Sequence, residues 1–378
     1  MAGTNITNLL EIIQRKIDAA DASTATQDLL YLLSAVRQGD GSALELYDSV
    51  GAFPDLTDSA ADTEMIAYKG DSDRLYFNVG VWKGTYIAPP PPPTQAQGSN
   101  FGYISGGSPS LYALNIEKFS FTSDGNGSTV GNLSTARGAL AGQSSTVSGY
   151  SSGGVQPPGS PGQSNVIDKF PFAVDAGASD VGDLSVTRGY LPAGQISTTH
   201  GYTSGGLSSN VIDKFSFSVD GNASDVGDLS AASYNLSGQS STENGYASGG
   251  TPSVGINKFP FASDANGSNI GTLSVVRSAT AGQSSTTHGY TSGGSGPSNV
   301  IDKFPFASDA SASDVGDLTV ARSFVAGQSS TTHGYTSGGF PIPASGNIID
   351  KFPFASDASA TDVGDLVNGL QEAAGQQY

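Results

Sequence analysis

The chain has 378 residues, no cysteine, and 34 acidic against 16 basic side chains, a formal net charge of −18. Disulfide staples are therefore excluded, and so broad an acid excess argues against a nucleic-acid partner, which needs a basic face. The chain opens with no basic stretch leading into an apolar core, and no apolar run reaches about 18 residues, so neither a secretory signal nor a membrane-spanning helix is expected.

In chain order, residues 1–48 form the first segment. Ile6, Leu9, Leu10, Ile13 and Ile17 fall at helical spacing. A second run over 27–37 carries Leu29, Leu30, Leu32, Leu33 and Val36 behind a Thr24-x-x-Gln27 capping box. Two such short helices cannot bury both stripes in isolation. The segment is expected to dock on another protein or on its own copies, with Leu9, Leu10, Ile13, Ile17, Leu29, Leu30 and Leu33 as the docking stripe. Residues 49–88 read as a small β-hairpin module, Met65 to Tyr68 and Leu75 to Val79 joined by the polar turn Lys69–Asp73. Residues 89–100 begin with five prolines, Pro89–Pro93, an extended and stiff spacer of about 3 Å per residue.

From Phe101 to Tyr378 one unit recurs six times. A Gly-Tyr-x-Ser-Gly-Gly run starts at Gly102, Gly149, Gly201, Gly245, Gly289 and Gly334, spacings of 47, 52, 44, 44 and 45 residues. A Lys-Phe pair, a Gly-x-Leu and an Ala-Gly-Gln or Ser-Gly-Gln follow in each unit. A period of this length means stacked or radially arranged units. Each unit holds four short strand-like runs broken by Gly, Asp, Asn and Ser, the content of a propeller blade. The units are out of phase with the chain: the first lacks a preceding Ala-Gly-Gln, and the last supplies one with nothing after it. The expectation is an all-β, six-bladed propeller over 101–378, closed by a C-terminal strand within 371–378 that completes the blade begun at Phe101.

The paired glycines after a hydrophobic strand (Gly338, Gly339), the aromatic of Asp-Lys-Phe, and the Leu-x-x-x-Arg step (Leu318 to Arg322) resemble the kelch repeat. Two departures stand out. Val181, Val226, Val315 and Val363 occupy the register where kelch units commonly carry Trp, which implies a thinner core between blades. The repeats also hold no Cys, which argues against the copper-radical oxidase branch of these propellers. The stretch 65–83, Met-Ile-Ala-Tyr through Gly-Val-Trp-Lys, resembles a small module of tail-fibre and other virion structural proteins of bacterial viruses. Asp28–Leu32 is similar to the helical leader that precedes such modules in viruses of marine cyanobacteria.

Four units carry an Arg four residues after the Gly-x-Leu leucine: Arg137, Arg188, Arg277 and Arg322. In kelch adaptors the matching arginines line a partner-binding face and grip acidic groups, as guanidinium geometry allows. Alternatively each pairs with an Asp of its own or the neighbouring blade, such as Asp317 or Asp183. Ser233 and Leu370 take the two remaining places. His200, His288 and His333 share one register, but blades hold them apart and no carboxylate or Cys set accompanies them, so no metal site is expected. The recurrent Asp309/Asp314/Asp317 pattern lacks EF-hand spacing and reads as turn chemistry. No cofactor motif and no catalytic elbow occurs, and near-identity between blades argues against an enzyme. Together these features point to a virion structural protein of a bacterial virus. Its N-terminus would dock to other virion proteins, and its propeller would be displayed to bind a host-surface glycan or protein, with no nucleic acid and no membrane insertion. A homo-oligomer is one further possibility for the N-terminal segment. A cellular kelch-type adaptor and a carbohydrate-binding or carbohydrate-active propeller are the alternatives. The loops 155–164 and 340–346, which vary in length and carry Pro, are a second candidate surface.

Overall fold

The computed structural model describes residues 97–378, except 109–111, 159, 161, 253–254 and 342–345, and the backbone of four short strands nearer the N-terminus. The chain divides into two compact units, 1–93 and 94–378. In the first, Leu44–Tyr47, Ile66–Lys69, Arg74–Asn78 and Trp82–Thr85 form a sheet in that order, the first pair parallel and the next two antiparallel. The helices expected over 5–20 and 27–37, with the docking stripe from Leu9 to Leu33, and the proline tract lie outside the described residues.

The second unit is a six-bladed β-propeller of four-stranded antiparallel sheets, with no helix among its described residues. Blade 1 is made of Ala374–Gln377, Phe101–Ser105, Asn115–Ser120 and Ser128–Asn132. Blade 2 runs Ala141–Ser144, Ser148–Ser152, Ser164–Pro171, Ser179–Arg188, and blade 3 Ala193–Ile196, His200–Ser204, Val211–Ser216, Ser224–Asp228. Blade 4 is Tyr234–Ser240, Asn244–Thr251, Gly255–Pro260, Ser268–Thr272. Blade 5 is Ala281–Ser284, His288–Ser292, Ser298–Pro305, Ser313–Arg322, and blade 6 is Ala326–Ser329, His333–Ser337, Ile348–Pro353, Thr361–Asp365.

The closing strand lies where the phase of the repeat puts it. Ala374, Gly375, Gln376 and Gln377 pair antiparallel with Ser105, Ile104, Tyr103 and Gly102. The Tyr378 carbonyl also accepts from the Asn100 and Phe101 amides. No sheet edge is left open at the junction, which is what ring closure achieves.

Each blade is covered on both faces by its neighbours, so its strands bury residues of both parities: Ile212 and Asp213 are adjacent and both fully buried. The packing repeats in a cycle. The second-strand Tyr of one blade lies against two Phe of the next: Tyr103 on Phe170 and Phe172, Tyr150 on Phe215 and Phe217, and so on to Tyr335 on Phe119 and Phe121. Ring centroids stand 4.5 to 5.7 Å apart in this cycle, the range of favourable aromatic pairs. Val181, Val226, Val315 and Val363 pack half-buried against these clusters. Aromatic area from the neighbouring Phe-x-Phe pairs thus occupies the space between blades.

The innermost strands surround a narrow axial cavity of about 90 Å³. They come this close because Gly142, Gly194, Gly238, Gly282, Gly327 and Gly375 form a ring in which a Cβ on any member would overlap the carbonyl oxygen of the glycine before it. One residue on, each glutamine reaches the next blade: Gln143 Nε2 donates to Tyr202 O, Gln195 to Tyr246 O, Gln239 to Tyr290 O, Gln283 to Tyr335 O, Gln328 to Tyr103 O and Gln376 to Tyr150 O, at 2.9 to 3.1 Å. These amides are buried and committed to joining blades. On the outside a cycle of exposed ion pairs follows the same rule, from Lys118–Asp175 around to Lys351–Asp124.

Candidate functional site

The four arginines proposed for a partner face lie inside the protein. Arg137, Arg188 and Arg322 have no exposed surface and Arg277 has 2 %. Each lies at the end of one blade's outer strand or in the connection after it and enters the next blade, where Nη2 donates to a third-strand carboxylate: Asp168, Asp213, Asp302 or Asp350. Arg322 is representative, with donations to Gly338 O and Ile348 O at 2.9 Å, Thr336 O at 3.2 Å and Asp350 at 2.6 Å. Burial pulls the guanidinium pKa down while the aspartate opposes the shift. The expected exposed arginine face is therefore corrected to a set of buried clamps between blades, and their partners are not Asp317 or Asp183.

The two blade junctions without this Arg, between blades 3 and 4 and between blades 6 and 1, also lack the Asp. Ser233 stands opposite Asn257, whose Oδ1 accepts from the Ser230 amide and hydroxyl. Where Leu370 replaces the Arg, Glu117 replaces the Asp and accepts from Val367 N and Asn368 Nδ2, both at 2.8 Å. A buried carboxylate is kept only where a cation or a pair of donors meets it.

No protein-family model matches the chain, and no curated protein does either. The likeness to kelch repeats rests on its residues alone.

His200, His288 and His333 are half-buried, each with Nδ1 against the hydroxyl of the preceding Thr. Burial beside a Lys holds their pKa below the ordinary value. No metal-holding group of side chains occurs among the described residues. In the Asp-rich turns Asp180, Asp225, Asp314 and Asp362 accept from the amide two residues on, as short polar side chains do in turns. Asp175, Asp220, Asp309 and Asp357 belong to the outer ion-pair cycle.

The blades differ in the length of their connections on one face only. Innermost strands start, second strands end and outer strands finish at the same end of the propeller, so the second-to-third and fourth-to-first connections share that face. Every Gly-Gly pair turns there with both residues at positive φ, near +65° to +70° and +100° to +130°. The second-to-third connections contain no charged residue, and the fourth-to-first connections contain only the four buried arginines and Glu372. In a chain of net charge −18 this face is close to neutral.

At its centre lies a closed ring of backbone hydrogen bonds. Ala139 N donates to Glu372 O, Leu191 N to Ala139 O, Asn235 N to Tyr190 O, Ala279 N to Asn235 O, Phe324 N to Ala279 O and Glu372 N to Phe324 O, at 2.7 to 3.1 Å. Ala139, Tyr190, Leu191, Asn235, Ala279, Phe324 and Glu372 all sit at φ of +51° to +61°. L residues hold this conformation only where surrounding bonds over-determine it, and such positions concentrate at functional sites. Ala139, Leu191 and Ala279 pack as one buried cluster with Phe324 and Val155 against it, an apolar plug over the axial cavity. Around the plug Tyr190 is 45 % exposed and edge-on to Tyr234 at 6.2 Å, and Phe340 is 46 % exposed. The described parts of loops 155–164 and 340–346 lie on this face, with Phe340 bonded to Ser323. Sequence reasoning passed over this ring. Its signal was a stretch two to four residues before the axial glycine that differs from blade to blade, with Ala, Leu, Asn, Ala, Phe and Glu at its middle position, beside an Ala-Gly-Gln or Ser-Gly-Gln that does not.

Residues 97 and 98 lie at the opposite mouth. Gln97 Nε2 donates to Ser284 O and Gly98 N to Ser329 O, both acceptors closing innermost strands.

Proposed function

We propose that the chain is a structural protein of a bacterial virus particle. Its N-terminal segment would dock to other virion proteins, and its propeller would be displayed to bind a host-surface component without chemistry of its own. The observation that carries the display reading is the polarity of the propeller. Residues 97 and 98 bond to inner strands at one mouth, while the neutral, aromatic-bearing face with its variable loops lies at the other. Binding residues concentrate on loops held by a rigid scaffold, and many weak copies on one particle would bind through avidity. The virion assignment is supported by the resemblance of residues 65–83 and by the order of segments before the propeller. A cellular adaptor gains no support from the arginines, since in this fold they are internal.

The test is mass spectrometry of purified virus particles, with the isolated protein added as competitor in a host-adsorption assay. The expected result is peptides of this chain in the particle and slower adsorption in the presence of free protein. Absence of the chain from particles would overturn the virion reading.

A further inference from the structure

We propose that the uncharged face binds a neutral polysaccharide laid across the plugged mouth, with sugar rings stacked on Tyr190 on one side of the axis and on Phe340 on the other, and Glu372 accepting from sugar hydroxyls. This deepens the display reading and rests on its choice of binding face.

Three observations converge. First, the two exposed aromatics of this face stand apart, Tyr190 with Tyr234 edge-on beside it and Phe340 elsewhere, rather than in one apolar patch. Tyr190 precedes the inner strand of blade 3 and Phe340 follows the second strand of blade 6, three blades away in a ring of six, and hence on opposite sides of the axis. Two separate flat stations suit a chain of rings with C–H faces, since an aromatic ring face is electron-rich and attracts such edges. A protein partner would ask for a contiguous desolvated centre rich in aromatics and arginine, and every arginine of these connections is buried and paired.

Second, the polar groups of this face are neutral. Gln156, Ser208, Ser209, Asn210, Asn235 and Gln371 are half-buried or exposed there. They can donate to or accept from hydroxyls and offer nothing to a phosphate or carboxylate. With no free cation on the face and a chain of net charge −18, an acidic polymer would be repelled.

Third, Glu372 is out of keeping with its surroundings. Its carboxylate makes no hydrogen bond or ion pair among the described residues, and its backbone is held at φ +57° one step from Phe324. Desolvation raises its pKa. A carboxylate accepts at two oxygens and donates nothing when ionised, so adjacent hydroxyls of a neutral sugar would satisfy it where only water otherwise does. An unpaired acid in this position costs stability, the pattern of a residue kept for binding.

The experiment uses the full chain on an array of neutral and acidic oligosaccharides, followed by affinity electrophoresis in gels containing the best neutral polysaccharide. Binding to at least one neutral saccharide and to no acidic one is expected. Tyr190→Ala and Phe340→Ala should each weaken retardation at least tenfold, while Tyr190→Phe, which keeps the ring, stays within about twofold. Glu372→Gln should weaken binding and raise the melting temperature at pH 7, a pairing that a purely structural role would not give. Unchanged melting of the two Ala variants shows that the fold is intact, as their exposure predicts. The proposal is overturned by failure to bind any neutral saccharide, by preference for acidic ones, by retardation indifferent to both Ala substitutions, or by host-envelope binding that protease treatment of the envelope abolishes. Saccharide binding by a chain absent from virus particles would leave this inference standing and remove only the virion assignment.

Discussion

Removing one half of a buried clamp should cost far more than removing both. In Asp350→Asn the Arg322 guanidinium loses its ion-pair partner, which lies 2.6 Å away, and stays fully enclosed. In Arg322→Ser the Asp350 carboxylate keeps its bonds from the Thr319 amide and hydroxyl but loses its counter-charge. Breaking a buried pair from one side typically costs about 3–5 kcal/mol, so either single variant should lose about that much. The protein itself contains the double replacement, because Ser233 and Asn257 occupy the same two places in blades 3 and 4. Arg322→Ser with Asp350→Asn leaves no isolated charge. It loses the three bonds from Arg322 to Gly338, Ile348 and Thr336, at about 1 kcal/mol each. The double variant should therefore sit about 2–4 kcal/mol below the parent, against about 6–10 kcal/mol if the two losses added. Urea unfolding of the four proteins, followed by tyrosine fluorescence, measures this cycle. Additive losses would show that the two residues are not coupled and that the carboxylate is not held by the arginine.

Three further outcomes follow from the same geometry. Deleting residues 374–378 removes the inner strand of blade 1 and the Gln376 bond to Tyr150, so cooperative melting should be lost or fall by more than 10 °C, as about 5 kcal/mol or more would produce in a domain of this size; an unchanged melt by circular dichroism would show that the strand does not close the ring. Gly282→Ala sets a methyl against Gly238 O on the axis and should destabilise strongly, whereas Gly221→Ala, with nothing near its Cβ, should melt within a degree or two of the parent. The interblade tyrosines are held neutral by burial, Tyr103, Tyr202, Tyr290 and Tyr335 with pKa pushed up to about 12. Their folded pKa lies above the unfolded value of 10, so their contribution is complete below pH 10 and lost as pH rises toward 12; absorbance at 295 nm should show them ionising together with unfolding in that window, and early ionisation of the folded protein would contradict their burial.

The architecture was legible because each marker of the repeat stands for one contact made six times. The axial glycine permits close approach of inner strands, the glutamine after it crosses to the next blade, and the Gly-Tyr tyrosine meets the next blade's two phenylalanines. A broken phase in such a series has one geometric meaning, a blade shared by both ends. The arginines misled because repetition reveals that a residue matters without revealing which way it points. Their carboxylates lie 25 to 31 residues downstream, across a blade boundary, whereas the aspartates first considered are near in sequence. The joint absence of Arg and Asp at Ser233 and Asn257 was a readable sign of the pairing. The left-handed ring at the plugged mouth could not be read. Its positive φ values fall on Ala, Leu, Asn, Phe and Glu rather than Gly, and what imposes them is a set of bonds between blades, visible only once the ring is closed.

Closure by a strand from the far end of the repeats also sets a timetable for biosynthesis. Ser105 and Gln376, bonded in the finished first blade, are 271 residues apart. At about 5–20 residues per second, ribosomes need roughly 14 to 54 s to travel between them. For all of that time Phe101–Ser105 carries a bare strand edge of the kind that pairs with neighbouring chains. Nascent molecules on one messenger are thus at risk of completing one another's first blade, and a product released early keeps that edge indefinitely. The ring closes without help from a second molecule only when translation has run through to its last strand.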